Sequence, residues 1–150
     1  MVWEAKPHPY NALMDGIRLT TDTGEIDWVA LRQALIDDRF DNGRTAHEYE
    51  ASARGSHRNV YALLDQEIVG NARVLSDGVC NAYIVDVWTR SDLRRRGIGA
   101  AMIRLLLQAC EGQHVHLVTE DQRAFYAEIG FSVEEIGMSQ VVGSWLRRAC

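Results

Sequence analysis

Arg94-Arg95-Arg96-Gly97-Ile98-Gly99-Ala100 follows a run rich in β-branched and aromatic residues, NAYIVDVWT from Asn81 to Thr89, and opens the clearest helical pattern in the chain. Ile98, Met102, Leu105, Leu106 and Ala109 recur at helical spacing on one face, so a helix is expected over 97–110. A strand, a glycine-bearing turn and a helix in succession suit an anion. The first helical turn presents backbone N–H groups without intrahelical acceptors and the positive end of the helix dipole. Gly97 and Gly99 remove Cβ obstruction, and three arginines add charge-assisted donors. A dinucleotide turn fits poorly, because the third glycine of G-x-G-x-x-G would fall on Met102. A P-loop is excluded by the missing G-K-[ST].

Outward from this turn, the pattern mixes strands and helices. GIRLTT (16–21) alternates and reads as a short strand. Asp22 and Glu25 form a capping-box pattern for a helix over 25–38, with Trp28, Leu31 and Leu35 as its apolar stripe. Thr45 and Glu48 repeat the signal for a second helix ending near Arg54-Gly55. Residues 60–64 and 68–75 read as a hairpin about Asp65-Gln66-Glu67, and Asp77-Gly78 marks the next turn. A strand is expected over 114–119, a short helix over 121–128, and two further strands over 131–138 and 141–146. The order implies an α+β fold: a mixed, largely antiparallel β-sheet flanked by helices. Nothing after Tyr10 reads as a linker, so one domain over 1–150 is expected, with a poorly ordered N-terminal extension over 1–15 that carries Pro7 and Pro9.

The chain has 150 residues, of which 47% are hydrophobic and 25% charged, with a net charge of −5. That supports a core without disulfides or a structural metal. No apolar run is long enough to cross a bilayer, and no secretory layout stands at the N-terminus. Cys80, Cys110 and Cys150 are odd in number with no C-x-x-C, which points to reduced thiols and a cytoplasmic protein. His114-x-His116 shares one strand face, but no third ligand is suggested, so no metal is expected. The charge is uneven. Residues 20–50 hold eight acids and three bases, whereas Arg90–Arg96 holds four arginines and one aspartate. A nucleic-acid surface on that short basic run is the reading from another class; the acidic whole argues against it and against anionic membranes.

The turn RRRGIGA resembles the Gln/Arg-x-x-Gly-x-Gly/Ala signature of the GNAT superfamily of N-acyltransferases. The preceding strand YIVDVWT and the later Phe125-Tyr126-Ala127-Glu128-Ile129-Gly130-Phe131 resemble that family's coenzyme strand and second motif, about thirty residues apart. The resemblance runs from Gly16 nearly to the C-terminus, and it implies a GNAT-like sheet with helices on both faces. It implies that backbone amides from Arg95 through Ala100 (Arg95, Arg96, Gly97, Ile98, Gly99, Ala100) hold the pyrophosphate of acetyl-CoA, with Arg94 at the first signature position. Val87 and Thr89 then lie beside the pantetheine arm, and Phe125 belongs to the same donor site. One departure is visible: Ser91 stands where the family often has proline.

The resemblance also implies an enzyme, an acetyl-CoA-dependent N-acetyltransferase acting on a primary amine, with a small-molecule acceptor as the first reading. A protein or peptide amino group, or a non-catalytic acyl-CoA-binding module, are the alternatives. Tyr126 takes the place of the tyrosine that protonates the departing thiolate; a phenol with pKa near 10 is protonated at neutral pH. Tyr83 and Val85 occupy the strand positions where some relatives carry a base, and neither is a conventional one. Asp86, on the opposite face by alternation, reads better as a structural carboxylate paired with an arginine. Glu120, Asp121 or a water chain remain open as the base. The first two helices and their junction, Asp37-Asp38-Arg39-Phe40-Asp41, are expected to roof the acceptor, with Asp38, Phe40, Tyr83 and Glu120 as its contacts. Family habit adds a homodimer through 141–146.

Overall fold

The computed structural model describes residues 16–134 and 137–147. Up to Leu117 the described chain forms one compact unit, and from Val118 a second, smaller one. The extension over 1–15 and Cys150 lie outside the described residues.

The first unit is built on five strands, β1 (Ile17–Thr20), β2 (Arg58–Leu64), β3 (Glu67–Ser76), β4 (Asn81–Thr89) and β5 (His114–His116). They lie side by side in chain order. The first four are antiparallel, and only β4 and β5 run parallel. Tight turns make the antiparallel order. Asp65 and Gln66 both have positive φ, 48° and 71°, the conformation a two-residue hairpin between twisted strands requires. After β3, Asp77 Oδ1 accepts from the amides of Val79, Cys80 and Asn81 and folds the chain back into β4. The parallel step needs a crossover, which helix α3 (Ile98–Gln108) supplies.

Helices cover both faces of this sheet. Leu31 and Leu35 of α1 (Trp28–Asp37) and Tyr49 of α2 (Ala46–Arg54) pack with Ile26, Tyr61, Leu63, Ile68 and Trp88. On the other face α3 buries Ile98, Met102, Ile103 and Leu106 almost completely. Gly70 is what lets α3 sit close: a Cβ there would stand 3.1 Å from Met102 Cε and 3.1 Å from the Trp88 carbonyl. Strands β4 and β5 pair only from Asn81 to Tyr83 against His114 to His116. From Ile84 to Thr89 that edge of β4 has no strand partner among the described residues.

The second unit contains α4 (Arg123–Ile129), closed by Gly130 at φ 112°. Phe125 and Phe131 flank the Tyr126 ring edge-on, with centroids 4.9 and 5.9 Å away.

Several expected boundaries differ. Helix α1 begins at Trp28 because Asp27 caps it, accepting from the Ala30 amide at 3.0 Å. Asp22 instead caps one 3-10 turn, Thr23–Glu25, and the Glu25 carboxylate pairs with Arg18 at 3.0 Å. At α2 the capping box formed as expected, with Thr45 and Glu48 exchanging both bonds. Strand β5 stops at His116 rather than Thr119. The strands expected over 131–138 and 141–146 are absent from the described residues; the last stretch ends in the short turn Trp145–Arg147. Their β-branched residues do not suffice, because strand preference reflects packing on a paired surface more than any property of the isolated segment.

Leu106 is fully buried under the sheet. Leu106→Ala is expected to lower unfolding free energy by about 2–5 kcal/mol, the usual range for a buried leucine truncated to a cavity. Urea denaturation followed by circular dichroism measures it, and a loss under about 1 kcal/mol would contradict this placement of the core.

Candidate active site

Leu93 and Ile98 are buried on either side of the turn, and Arg94–Gly97 stands exposed between them. Two anchors therefore hold a solvent-facing loop. Gly97 takes the N-cap position of α3 at φ 81°, and no side chain caps the helix. The amides of the first helical turn thus keep their donors for an outside acceptor. A Cβ on Gly97 would meet nothing within 4 Å, so the space over this helix end is open. Arg95 is also left-handed, at φ 63°. These features fit a pyrophosphate: a first helical turn that no side chain caps, a dipole of the right sign, an unobstructed approach and adjacent arginines.

The open edge of β4 leads to the same turn. The Arg90 amide donates to the Val69 carbonyl on β3 at 2.8 Å. By strand alternation the amides of Thr89 and Val87 face the opposite, unpaired edge. The Thr89 carbonyl there accepts from Arg94 Nε at 3.1 Å. Val87 and Thr89 therefore offer main-chain groups along a free strand edge.

That edge owes its geometry to a bulge. Asn71 pairs with Trp88 but Arg73 pairs with Val85, so β4 spends one more residue than β3 over this interval. Asp86, inside it, has φ 55°. A left-handed aspartate inside a strand costs free energy and persists only where its surroundings enforce it. Here they do. Asp86 Oδ2 accepts from Arg73 Nε at 2.6 Å and from Arg44 Nη2 at 2.8 Å, while Asn71 Nδ2 holds the Asp86 carbonyl at 2.8 Å. Burial would raise the Asp86 pKa, but the guanidiniums of Arg73 and Arg44 outweigh it and hold the carboxyl below its usual value. Arg44 is itself fixed: its guanidinium lies 4.2 Å from the Tyr49 ring centroid and its Nε donates to Asn42 Oδ1 at 3.0 Å. The expectation of a structural carboxylate at Asp86 agrees with this arrangement. The second arginine and the bulge were not legible, since NAYIVDVWT is apolar at too many positions for an inserted residue to disturb the pattern.

In the acidic junction after α1 the carboxylates have local partners. Asp37 accepts from Gln33, and Asp41 accepts from the Gly43 amide and the Tyr49 hydroxyl. Asp38, expected to contact the acceptor, has a side chain only 12% exposed, turned toward Trp88 and Ser91. Phe40 and Tyr83 are each 40% exposed. Glu120 and Asp121 are exposed. His114 and His116 have rings 4.0 Å apart on one strand face.

Tyr126 is half-buried, and burial raises its pKa above the ordinary phenol value. It therefore carries its proton throughout the neutral range.

A model of the acetyltransferase (GNAT) family matches residues 24–131, and the chain belongs to that family. No curated protein sequence matches it. Solved structures share its fold. A Xanthomonas campestris pv. campestris protein described as a GNAT-family acetyltransferase is 24% identical with a TM-score of 0.72, over 86% of this chain and 95% of that one. A Deinococcus radiodurans R1 protein described as an acetyltransferase is 20% identical with a TM-score of 0.72, over 84% and 89%. Glucosamine-6-phosphate N-acetyltransferase from Arabidopsis thaliana is 16% identical with a TM-score of 0.65, over 85% and 99%. At these identities the likeness is one of fold. Among the described residues no helix is long and apolar enough to cross a membrane.

Asp86→Asn is expected to destabilise the protein by about 3–5 kcal/mol at neutral pH, because Arg44 and Arg73 lose a shared buried counter-charge. The Asp86 pKa is lowered on folding, so its stabilising contribution is full above the unfolded value near 3.9 and disappears as pH falls through the folded value. The stability gap between the parent and Asp86→Asn should stay constant from about pH 8 to pH 5 and close below about pH 4. Denaturant unfolding across that range measures it; a pH-independent gap would contradict the ion-pair account.

Proposed function

We propose that the protein transfers an acetyl group from acetyl-CoA to a primary amine of a small molecule, by direct attack of the amine on the thioester. The observation that carries this reading is the N-terminus of α3, which no side chain caps, with Gly97 left-handed and open to solvent, one short turn beyond a strand whose outer edge from Ile84 to Thr89 has no strand partner among the described residues.

Arg95, Arg96, Gly97, Ile98, Gly99 and Ala100 supply amides to the pyrophosphate, and the arginines add charge. Val87 and Thr89 align the pantetheine arm along the free edge of β4, with Phe125 as a further donor-site contact. Bound acetyl-CoA supplies an activated carbonyl carbon and a sulfur leaving group. The Val87 amide, or its neighbour, stabilises negative charge gathering on the carbonyl oxygen. The amine nitrogen bonds to the carbonyl carbon as the carbon–sulfur bond breaks. A cationic amine first gives one proton to water so that its nitrogen has a lone pair; as the sulfur departs Tyr126 gives it the hydroxyl proton, and the phenolate recovers a proton, through water, from the nitrogen that has become the amide. Phe40, Tyr83 and Glu120 are the acceptor contacts we assign. The excess of acids over residues 20–50 favours a cationic amine through its field. A cytoplasmic location completes the reading, consistent with Cys80 and Cys110 as free thiols.

A panel of polyamines, amino sugars, aminoglycosides and peptides, with CoA thiol release as readout, tests this. At least one small amine should give saturable turnover; activity confined to peptides would favour the protein-acceptor reading, and no release with any amine, the non-catalytic one. In the active enzyme Tyr126→Phe should lower kcat by about 10²–10⁴-fold with CoA affinity unchanged. Equal kcat in the two proteins would remove Tyr126 from the mechanism.

A further inference from the structure

One residue past β4, Ser91 opens the 3-10 turn Ser91–Leu93 that leads into the arginine-glycine loop. Its amide and its hydroxyl both donate to one carboxylate, that of Asp38 at the end of α1, with the amide 3.1 Å from Oδ2. The same carboxylate accepts from the Trp88 indole Nε1 at 2.8 Å and lies 3.8 Å from Arg94 Nη2. Arg94 in turn donates to the Thr89 carbonyl. Trp88, Ser91 and Arg94 are thus all tied to one side chain fifty or more positions upstream. Burial opposes the charge on Asp38, yet the bonds from Ser91 and Trp88 hold its pKa below the usual value.

A proline at position 91 would restrain the same chain covalently. Arg90 has φ −50° and ψ 136°, the extended conformation a residue before proline adopts. Ser91 is the first residue of a 3-10 turn, where a proline ring fits and no intrahelical acceptor needs the amide hydrogen. The acceptor that amide does use is Asp38.

We propose that Asp38 is a positioning residue for the donor turn: its carboxylate, taking both the amide and the hydroxyl of Ser91, fixes residues 91–94 in the conformation that presents the α3 amides. This rests on the reading of that helix end as the CoA site. Asp38 therefore acts through Ser91 and touches neither substrate.

The test is a four-protein cycle of parent, Asp38→Ala, Ser91→Pro and the double variant, with CoA affinity by calorimetry, thermal unfolding, and, without ligand, hydrogen exchange of the Leu93 amide, which donates to the Arg90 carbonyl at 2.9 Å inside the braced turn. Asp38→Ala should weaken CoA roughly tenfold, the size of one lost charge-assisted bond, and speed exchange in the turn. Adding Ser91→Pro should bring affinity back to within about twofold and slow exchange again. The double variant should still unfold below Ser91→Pro, because the Trp88 indole has no acceptor in it. That split between restored affinity and unrestored stability is what a merely structural Asp38 would not give. Unchanged affinity and exchange in Asp38→Ala would overturn the proposal, as would a folded double variant binding no better than Asp38→Ala. Failure of the parent to bind CoA would instead remove the functional reading, and the exchange data would still decide whether Asp38 holds the turn.

Discussion

The carboxylate of Asp86, shared by Arg44 and Arg73, holds a left-handed residue inside β4. Much of the molecule depends on that contact. Strand β4 is paired along β3 on one side, meets β5 only at its beginning, and ends in the loop that carries the basic cradle. Shifting its register by one residue would move every later side chain to the other face. Trp88 would then leave the core under α1, and Thr89 would lose its place on the open edge. The bulge sets where that register changes, and the two guanidiniums set the bulge.

A second carboxylate works at the far end of the same strand. Asp38 gathers Trp88, Ser91 and Arg94, so α1 is tied to β4 just before the chain turns into α3. The net charge of −5 looks at first like a bulk property that disfavours polyanions. The structure gives several of the acids local partners: Asp27 and Asp22 cap turns, Asp37 and Asp41 bond within the first two helices and their junction, and Asp38 braces the loop. What these acids offer a solute is their summed field more than any single free carboxylate.

The sequence was most readable where one local rule decides the outcome. The strand over Asn81–Thr89 and the capping box at Thr45 were both legible, because β-branched density and a Thr-x-x-Glu spacing each act within a few residues. The helix that opens after Gly97 was legible for the same reason. Where two local rules competed, the reading slipped: Asp22 and Asp27 both cap, and only packing of Trp28 and Leu31 onto the sheet chose the second for α1. Long-range features were illegible. Nothing near Asp86 announces Arg44, and nothing near Ser91 announces Asp38, since each partner lies more than forty residues away. The strands expected after α4 failed for a related reason, as a strand exists only with the partner that pairs it.

Each functional role assigned above depends on the first turn of α3 binding the phosphates of CoA. The most direct measurement is a two-dimensional amide NMR titration with CoA. Saturable shifts should be largest for the amides of Gly97, Ile98, Gly99 and Ala100, with smaller ones along Val87 to Thr89. Shifts centred elsewhere in the chain, or none at millimolar CoA, would contradict the account.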